Sequence, residues 1–356
     1  MDIYVLDTSF KVVDTIDIYN SVIWTTRYYT AGDFELFMSV DKDKFKYIKK
    51  GYYLVREQDR ISDDKFINVM IISNFEIKTD VENGDTLTIT GKCLKSIVNR
   101  RVVVNQTILN GKVENCIKQL LNDNIINPTD TARKISNFEI GLHTLINTYT
   151  MSMQVTGDNL GEVITEICTT YGYGWDVFIS DGKFIFYLYE GIDRSTNQNV
   201  NPRVTFSSEY DNLITSDYLS NSDNYANVAI VAGEGEGINR KKATAGTVAG
   251  LDRVEVFIDS RNSSTNEGNI SESEYINMLI EEGNEALSEM KVTTSFEGDV
   301  DNNGTYQLNV DYMLGDLVQV INDYNLSATT RIIEIIESES DTGNNIVATF
   351  STMEGV

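Results

Sequence analysis

Short runs of alternating side-chain character, separated by turn residues, constrain this chain most. "DIYVLD" (2–7) is followed by "FKVVDTID" (10–17), and "FINVMIISNFEIKTD" (66–80) turns at Asn83-Gly84 into "DTLTITGKCL" (85–94). Successive strand side chains face opposite sides, so each run has one apolar and one wet face, and Asn-Gly favours a two-residue hairpin. Six or so such strands over residues 1–100 predict a closed or half-closed antiparallel barrel. Only 2 prolines interrupt a chain with 19 tyrosines and 14 phenylalanines, which also favours strands.

The period changes after residue 100. "NGKVENCIKQLLNDNI" (110–125) places Val113, Ile117, Leu120 and Leu121 on one helical face. "TGDNLGEVITEICTTYGYG" (156–174) does the same with Leu160, Val163, Ile164, Ile167 and Tyr171, with Gly172 as a C-terminal stop. "WDVFISDGKFIFYLYEG" (175–191) is a hairpin about Asp181-Gly182. These make a small α+β module over 101–202. Strands return in "ANVAIVAG", "DRVEVFIDS", "KVTTSFEG", "YMLGDLVQVI", "TTRIIEIIESES" and "NNIVATFSTM". They predict a second barrel from residues 203–262 and 291–356. Residues 263–290 form a helical insertion that packs on the α+β module, with Ser271 and Glu274 as a capping box. Its expected apolar stripe is Ile276, Leu279, Ile280, Leu287 and Met290.

Charge narrows the partners. The net charge is −25, and residues 201–356 hold 8 basic against 27 acidic side chains. Nucleic-acid binders need a cationic stripe to displace counterions from phosphate, so sequence-specific nucleic-acid binding and an anionic membrane are not expected. Cys93, Cys116 and Cys168 lack CxxC spacing and read as reduced structural thiols of a cytoplasmically made protein. No leader-like start and no ~20-residue apolar span occurs, so neither secretion by the usual route nor membrane insertion is expected.

Tests for chemistry come back weak. His143 is the single histidine, and no nucleophile elbow or closely spaced zinc ligands accompany it. We expect it to be a satisfied or surface residue. A carboxylate pair for glycoside hydrolysis cannot be chosen among 54 acidic side chains. The glycines of "VAGEGEG" lack the following helix that a phosphate cradle needs. Gly233, Gly235, Gly237, Lys241 and Lys242 therefore read as a flexible loop between two strands. "DVDNNG" offers Asp299, Asp301 and Asn303 as a weak metal candidate, but Val310 stands where a calcium loop needs glutamate. The plain turn is preferred, and no cofactor is expected.

The most unusual stretch is "VIWTTRYYTAGDFEL" (22–36), in which Trp24, Tyr28, Tyr29 and Phe34 surround Arg27 before a turn at Gly32-Asp33. It reads either as an intrachain corner with a snorkelled Arg27, or as a surface for another chain, where Tyr, Trp and Arg dominate. An aromatic cage for a sugar is the third possibility.

Five motifs occur in order: "VIWTTRYYTAGDFEL", "TGKCLKSIVNRRVV", "YANVAIVAGEGEG", "GLDRVEVFID" and "YMLGDLVQVI…RIIEI". In this the chain resembles the phage tail baseplate-hub family: the hubs of contractile tails and of phage-tail-like bacteriocins, and the hub-like N-terminal part of tail-associated lysins. The resemblance implies a mainly β fold of two tail-tube-like antiparallel β-barrels plus an α+β module. It also implies a homotrimer whose six barrels form a pseudo-sixfold ring. Such a ring would cap the tail tube, contact tail-tube or distal-tail rings and baseplate wedge proteins, and carry a threefold spike or tip, with phage DNA passing through an acidic lumen. The candidate contacts are Trp24, Arg27, Tyr28, Tyr29, Asp33 and Phe34, then Arg100 and Arg101, Arg253, and Asp316. Gly32-Asp33 and Gly315-Asp316 are expected to play comparable parts in the two barrels. Lysins continue into a lytic domain and this sequence stops at Val356, so the expectation is a bare, non-enzymatic hub in a virion tail or tail-like particle, assembled in the host cytoplasm. The competing expectation is a carbohydrate-binding or cell-wall-degrading module of a tail tip.

Overall fold

The computed structural model describes residues 1–80, 84–261, 263–264, 271–301 and 305–352. Its first part is an antiparallel sheet of β1 (Ile3–Leu6), β2 (Val12–Ile16), β3 (Ser21–Arg27), β4 (Asp33–Ser39), β5 (Tyr53–Arg56), the two-residue β6 (Lys65–Phe66), β7 (Met70–Asp80) and β8 (Gly84–Cys93). All but β6 lie on one ladder path, β3-β4-β8-β7-β5-β1-β2. Alternation sets the inward face: in β4, Phe34, Leu36 and Met38 are buried while Glu35 is exposed. They join Val22, Trp24, Leu54, Met70, Ile72, Leu87 and Ile89 in one apolar core. Gly84 has a φ of +77°, as the expected hairpin turn needs; Asn83 lies outside the described residues.

The α+β module follows, with β9 (Thr107–Lys112), α1 (Val113–Leu121), β10 (Phe138–Ile140), β11 (Thr150–Val155), α2 (Leu160–Tyr171), β12 (Gly174–Ser180) and β13 (Lys183–Tyr189). Both helices bury the faces their spacing predicted, and Gly172 caps α2 at a φ of +70°. Asp181 and Gly182, at φ values of +51° and +74°, make the hairpin turn. The module's core is continuous with the outer face of the first sheet, because Leu6, Phe10, Tyr53, Val55 and Phe66 pack with Trp175, Phe184, Phe186 and the two helices. Pairing of β6 with β12 adds a backbone link.

Next come β14 (Thr205–Ser207) and β15 (Asp217–Asn221). Residues 218–295 form a compact unit of their own. There β16 (Val228–Ala232) lies between antiparallel β17 (Lys242–Ala245) and parallel β18 (Glu255–Asp259). Helix α3 (Glu272–Glu289) covers that sheet, burying Tyr275 and Leu279 against Ala229, Val231, Ala243 and Ala245. The Ser271–Glu274 capping box is formed. Two expectations are corrected here. The helix packs on its own three-stranded sheet, and residues 218–262 belong to that unit rather than to the second barrel. The apolar faces of β16 and β17 need a cover, and the helix that follows in sequence supplies it.

The second part uses β14, β19 (Thr293–Val300), β20 (Leu317–Ile321), β21 (Ser327–Ser340) and β22 (Gly343–Thr352); β20, β21 and β22 pair antiparallel, while β14 runs parallel to β20. Val204, Phe206, Val318, Val320, Ile332, Ile335 and Phe350 form its core. The 14-residue β21 serves both parts: residues 327–331 pair with β20, and residues 334–340 pair with β3. Between these stretches the register with β22 slips at Ile333. A bulge of this kind bends a strand and re-aims it, which lets one strand pass from the second sheet to the first.

Candidate functional site

The aromatic stretch 22–36 lies at this crossing and faces inward. Trp24 and Phe34, paired across β3 and β4, are buried with ring centroids 5.7 Å apart. Beyond β3 the chain leaves the ladder, and the Tyr28 N–H donates to the carbonyl of the bulged Ile333 at 2.9 Å. The Tyr28 side chain is fully buried. Its hydroxyl donates to the Gly172 carbonyl at 3.1 Å and accepts from the Gly191 N–H at 3.2 Å, both at edges of the α+β module. Gly174 and Gly315 pass so close that a Cβ on either would lie 2.3 and 2.2 Å from the ring. Gly315 also has a φ of +97°, which disfavours any other residue. The Arg331 guanidinium stacks on the ring at 5.2 Å and donates to the Gly315 carbonyl at 2.6 Å. Tyr28 thus joins the first sheet, the module and the second sheet.

Polar clamps surround this junction. Arg27 pairs with Asp33 at 2.5 Å and with Glu334 of β21, and donates to the Ala31 carbonyl at 3.0 Å. Asp316, 2% exposed, accepts from Arg194 at 2.7 Å and from the N–H groups of Ile192 and Met313 at 2.7 and 3.1 Å. It fastens the segment that leaves the module to the start of β20. Asp33 and Asp316 both follow a glycine, Asp33 opening β4 and Asp316 preceding β20, but only Gly315 has a positive φ; Gly32 is required because a Cβ would meet the Thr25 carbonyl at 2.1 Å.

Several expected contact residues lie inside the chain instead. Trp24, Tyr28, Phe34 and Asp316 are buried, and Tyr29 packs on the module core while its carbonyl accepts from Thr165 at 3.2 Å. Arg253 closes a local turn on Glu255 and the Val248 carbonyl. The glycine loop carries local hydrogen bonds of its own. Gly233 donates to the Lys241 carbonyl at 2.9 Å, Arg240 bonds back to Ala232 and Gly233, and the Glu234 N–H donates to Tyr275 at 2.8 Å. Lys241 lies 3.4 Å from Glu234, and Lys242 opens β17. Gly235 and Gly237 sit inside this pinned turn at φ values of +99° and +56°. At the metal candidate, Asp299 accepts from Thr215 at 2.9 Å and Asn345 at 3.2 Å. Asn303 lies outside the described residues, among which no three His, Cys, Asp or Glu side chains converge.

Two buried cations escaped the sequence reading. Arg56, 2% exposed, pairs with Asp59 at 2.5 Å and Glu337 at 2.6 Å and stacks on Trp24 at 5.1 Å. The Arg-Asp spacing in "VREQDR" was its one visible sign. Lys95 donates to the carbonyls of Arg27 and Tyr28 at 2.5 and 3.1 Å, below the Trp175 ring. Burial pulls its pKa below the usual lysine range and pushes the nearby Asp176 carboxyl up and the Cys93 thiol up to about 11. Such shifts are typical of reactive groups, but the void between them is ≈ 10 Å³, about one water. No substrate fits.

A larger cavity of ≈ 690 Å³ is lined by Trp24, Arg56, Glu337 and Glu339. Its two glutamates do not form an acid–base pair. Glu337 is held by Arg56, and although burial favours protonation of Glu339, hydrogen bonds from Tyr19 and the amino terminus keep its pKa below the usual range. A glycosidase acid needs a raised pKa. His143 accepts from the Leu188 N–H at 3.0 Å through Nδ1, while its buried Nε2 makes no hydrogen bond and lies 3.9 Å from Glu114. Burial, aided by Lys118, pushes its pKa below the usual value. The folded chain therefore holds it neutral, and the unfolded chain takes up the proton near pH ~6.5. Its contribution is present above that pH and is lost as pH falls below it. His143→Gln should flatten this part of the stability curve, read as urea midpoints from about pH 7 to 5; an unchanged slope would refute the assignment.

Comparisons with known proteins fit this architecture. A tail protein of Neisseria meningitidis MC58 has a similar structure, with a TM-score of 0.61 at 13% identity, covering 99% of this chain and 97% of that one. The 43 kDa tail protein of prophage MuSo2 from Shewanella oneidensis gives 0.58 at 13%, covering 99% and 98%. A chain of the half-lidded Francisella PdpA-VgrG complex gives 0.51 at 12%, covering 99% of this chain and 57% of that one. No curated protein sequence matches. The family model described as Siphovirus ReqiPepy6 Gp37-like protein matches residues 2–350. That match runs over almost the whole chain, and the chain belongs to the Siphovirus ReqiPepy6 Gp37-like protein family.

Proposed function

We propose that the chain is the structural hub of a phage tail tip or baseplate, a homotrimer that caps the sixfold tail tube as a pseudo-hexamer and joins it to a threefold spike or tip. The observation that carries this reading is the pair of sheets, each with its own core, spliced by β21. Three such chains bring six similar sheets to one ring, so the step from six to three is made within each polypeptide. The partners on this reading are tail-tube or distal-tail rings, a spike or tip protein and wedge proteins, assembled in the host cytoplasm. DNA passes a lumen whose acidic walls do not attract phosphate. No helix among the described residues is long and apolar enough to cross a membrane.

A non-enzymatic role is supported by the ≈ 690 Å³ cavity, where Glu337 is paired with Arg56 and the Glu339 pKa is lowered by hydrogen bonds from Tyr19 and the amino terminus, and by the near-absence of space beside Lys95. The sugar-cage alternative loses its main residues, since Trp24, Tyr28 and Phe34 are inside the fold. Light scattering on the purified chain should give three times its 40.1 kDa mass, and cell-wall zymograms should stay blank. A strict monomer at all concentrations, or clearing of the zymogram, would overturn the proposal.

A further inference from the structure

A cyclic trimer cannot pair a patch with itself. Each contact is heterologous, one surface of a chain meeting a different surface of the next, and the rotation closes the ring. On a chain of net charge −25, those two surfaces must also be locally complementary, because like-charged copies otherwise repel within a Debye length of about 8 Å. Two unusual surfaces meet these requirements.

The first lies on the α+β module. Seven of the 12 arginines have a carboxylate within ion-pair reach: Arg27, Arg56, Arg60, Arg194, Arg240, Arg253 and Arg261. Arg100, Arg101 and Arg133 have none among the described residues, although they cluster. Arg101 donates to the carbonyls of Arg133 and Arg100 at 2.9 and 3.0 Å, and Arg133 donates to the Val102 carbonyl at 2.5 Å. Burial and the charges of Arg133 and Arg100 pull the Arg101 pKa down. Beside these cations Val102 and Val104 are exposed at 45% and 53%. Carbonyl bonds hold the Arg101 and Arg133 guanidiniums in place without neutralising them.

The second lies on α3, which has six glutamates and no basic residue in 18 positions. Glu282 bonds Ser260, Glu274 closes the capping box, and Glu272 lies 3.8 Å from Lys241. Glu281, Glu285 and Glu289 are all exposed and, among the described residues, lack any cationic partner. Their spacing of four puts them on one stripe, with exposed Met278 close by. Like charges at that spacing destabilise a helix by a few tenths of a kcal/mol per pair, so the stripe is not explained by the stability of the helix.

We infer that the ring contact joins these surfaces: the Arg100, Arg101 and Arg133 cluster of one copy receives the Glu281, Glu285 and Glu289 stripe of the next, with Val102, Val104 and Met278 as the apolar part. This rests on the trimer reading above. The occupant is a second copy of this chain because both complementary patches are on the same polypeptide.

The test uses the full chain. Wild type should sediment as a trimer that loosens as salt rises. E281K/E285K should weaken self-association on the order of tenfold or more without lowering Tm, since it relieves repulsion on an exposed helix face. R100E/R101E should weaken it similarly, and R100E alone, at an exposed side chain with no recorded hydrogen bond, serves if the double variant folds poorly. Combining the two reversals should restore the trimer. A trimer indifferent to either reversal would overturn this contact and leave the hub reading standing. Loss in both variants without rescue would also overturn it, since each patch would then meet some other surface of the next copy. A wild-type chain that is monomeric at every concentration would remove the hub reading and this contact together.

Discussion

Tyr28→Ala is expected to be among the most damaging single changes in the chain. Truncating a buried aromatic costs about 3–5 kcal/mol, and here it also strips partners from the Gly191 N–H and the Gly172 carbonyl. Against a total stability of about 5–15 kcal/mol for a typical domain, that leaves little. Tyr28→Phe keeps the ring and loses only the hydroxyl, so its cost should be about 1–3 kcal/mol. Gly174→Val should behave like the alanine variant, because its Cβ would stand 2.3 Å from the same ring. Urea unfolding with limited proteolysis measures all three. If Tyr28→Ala unfolds within about 1 kcal/mol of wild type, the three-way junction is not where the parts of the chain are joined.

Asp316→Ala should rival it. The carboxylate neutralises Arg194, whose side chain is 10% exposed, and it accepts from two backbone N–H groups. Removing one partner of a buried ion pair typically costs about 3–5 kcal/mol because the other charge is left uncompensated. The lost acceptors for Ile192 and Met313 add to that. Asp316→Asn retains an acceptor but not the charge, so it should fall between alanine and wild type. The double variant Asp316→Ala with Arg194→Met removes both charges and should recover part of the loss. Equal destabilisation by the single and double variants would show that the ion pair contributes nothing beyond packing.

Local features of the fold were legible, and longer-range ones were not. The two module helices, the Asp181-Gly182 turn, the Gly172 cap and the Ser271–Glu274 box all follow from residues a few positions apart. The mainly β class with an α+β module follows from period alone. The independence of residues 218–295 was hidden because the inward positions of β17 are only the alanines Ala243 and Ala245, and they gain a core with Tyr275 and Leu279 of α3. The aromatic stretch was read correctly as unusual. Its role turned on partners about 145 to 300 positions away, Gly172, Gly191, Gly315 and Arg331, which no local pattern could supply. Arg27 shows the same limit: its neighbour Asp33 was visible, whereas Glu334 arrives through the β3–β21 pairing.

The account depends on two similar sheets within each polypeptide, so that a trio presents six. Class averages of the purified chain by single-particle electron microscopy address this most directly. The expected view down the axis is a ring with threefold symmetry and six barrel-sized lobes of two alternating kinds. Isolated two-lobed monomers, or a ring whose true symmetry is six, would contradict it.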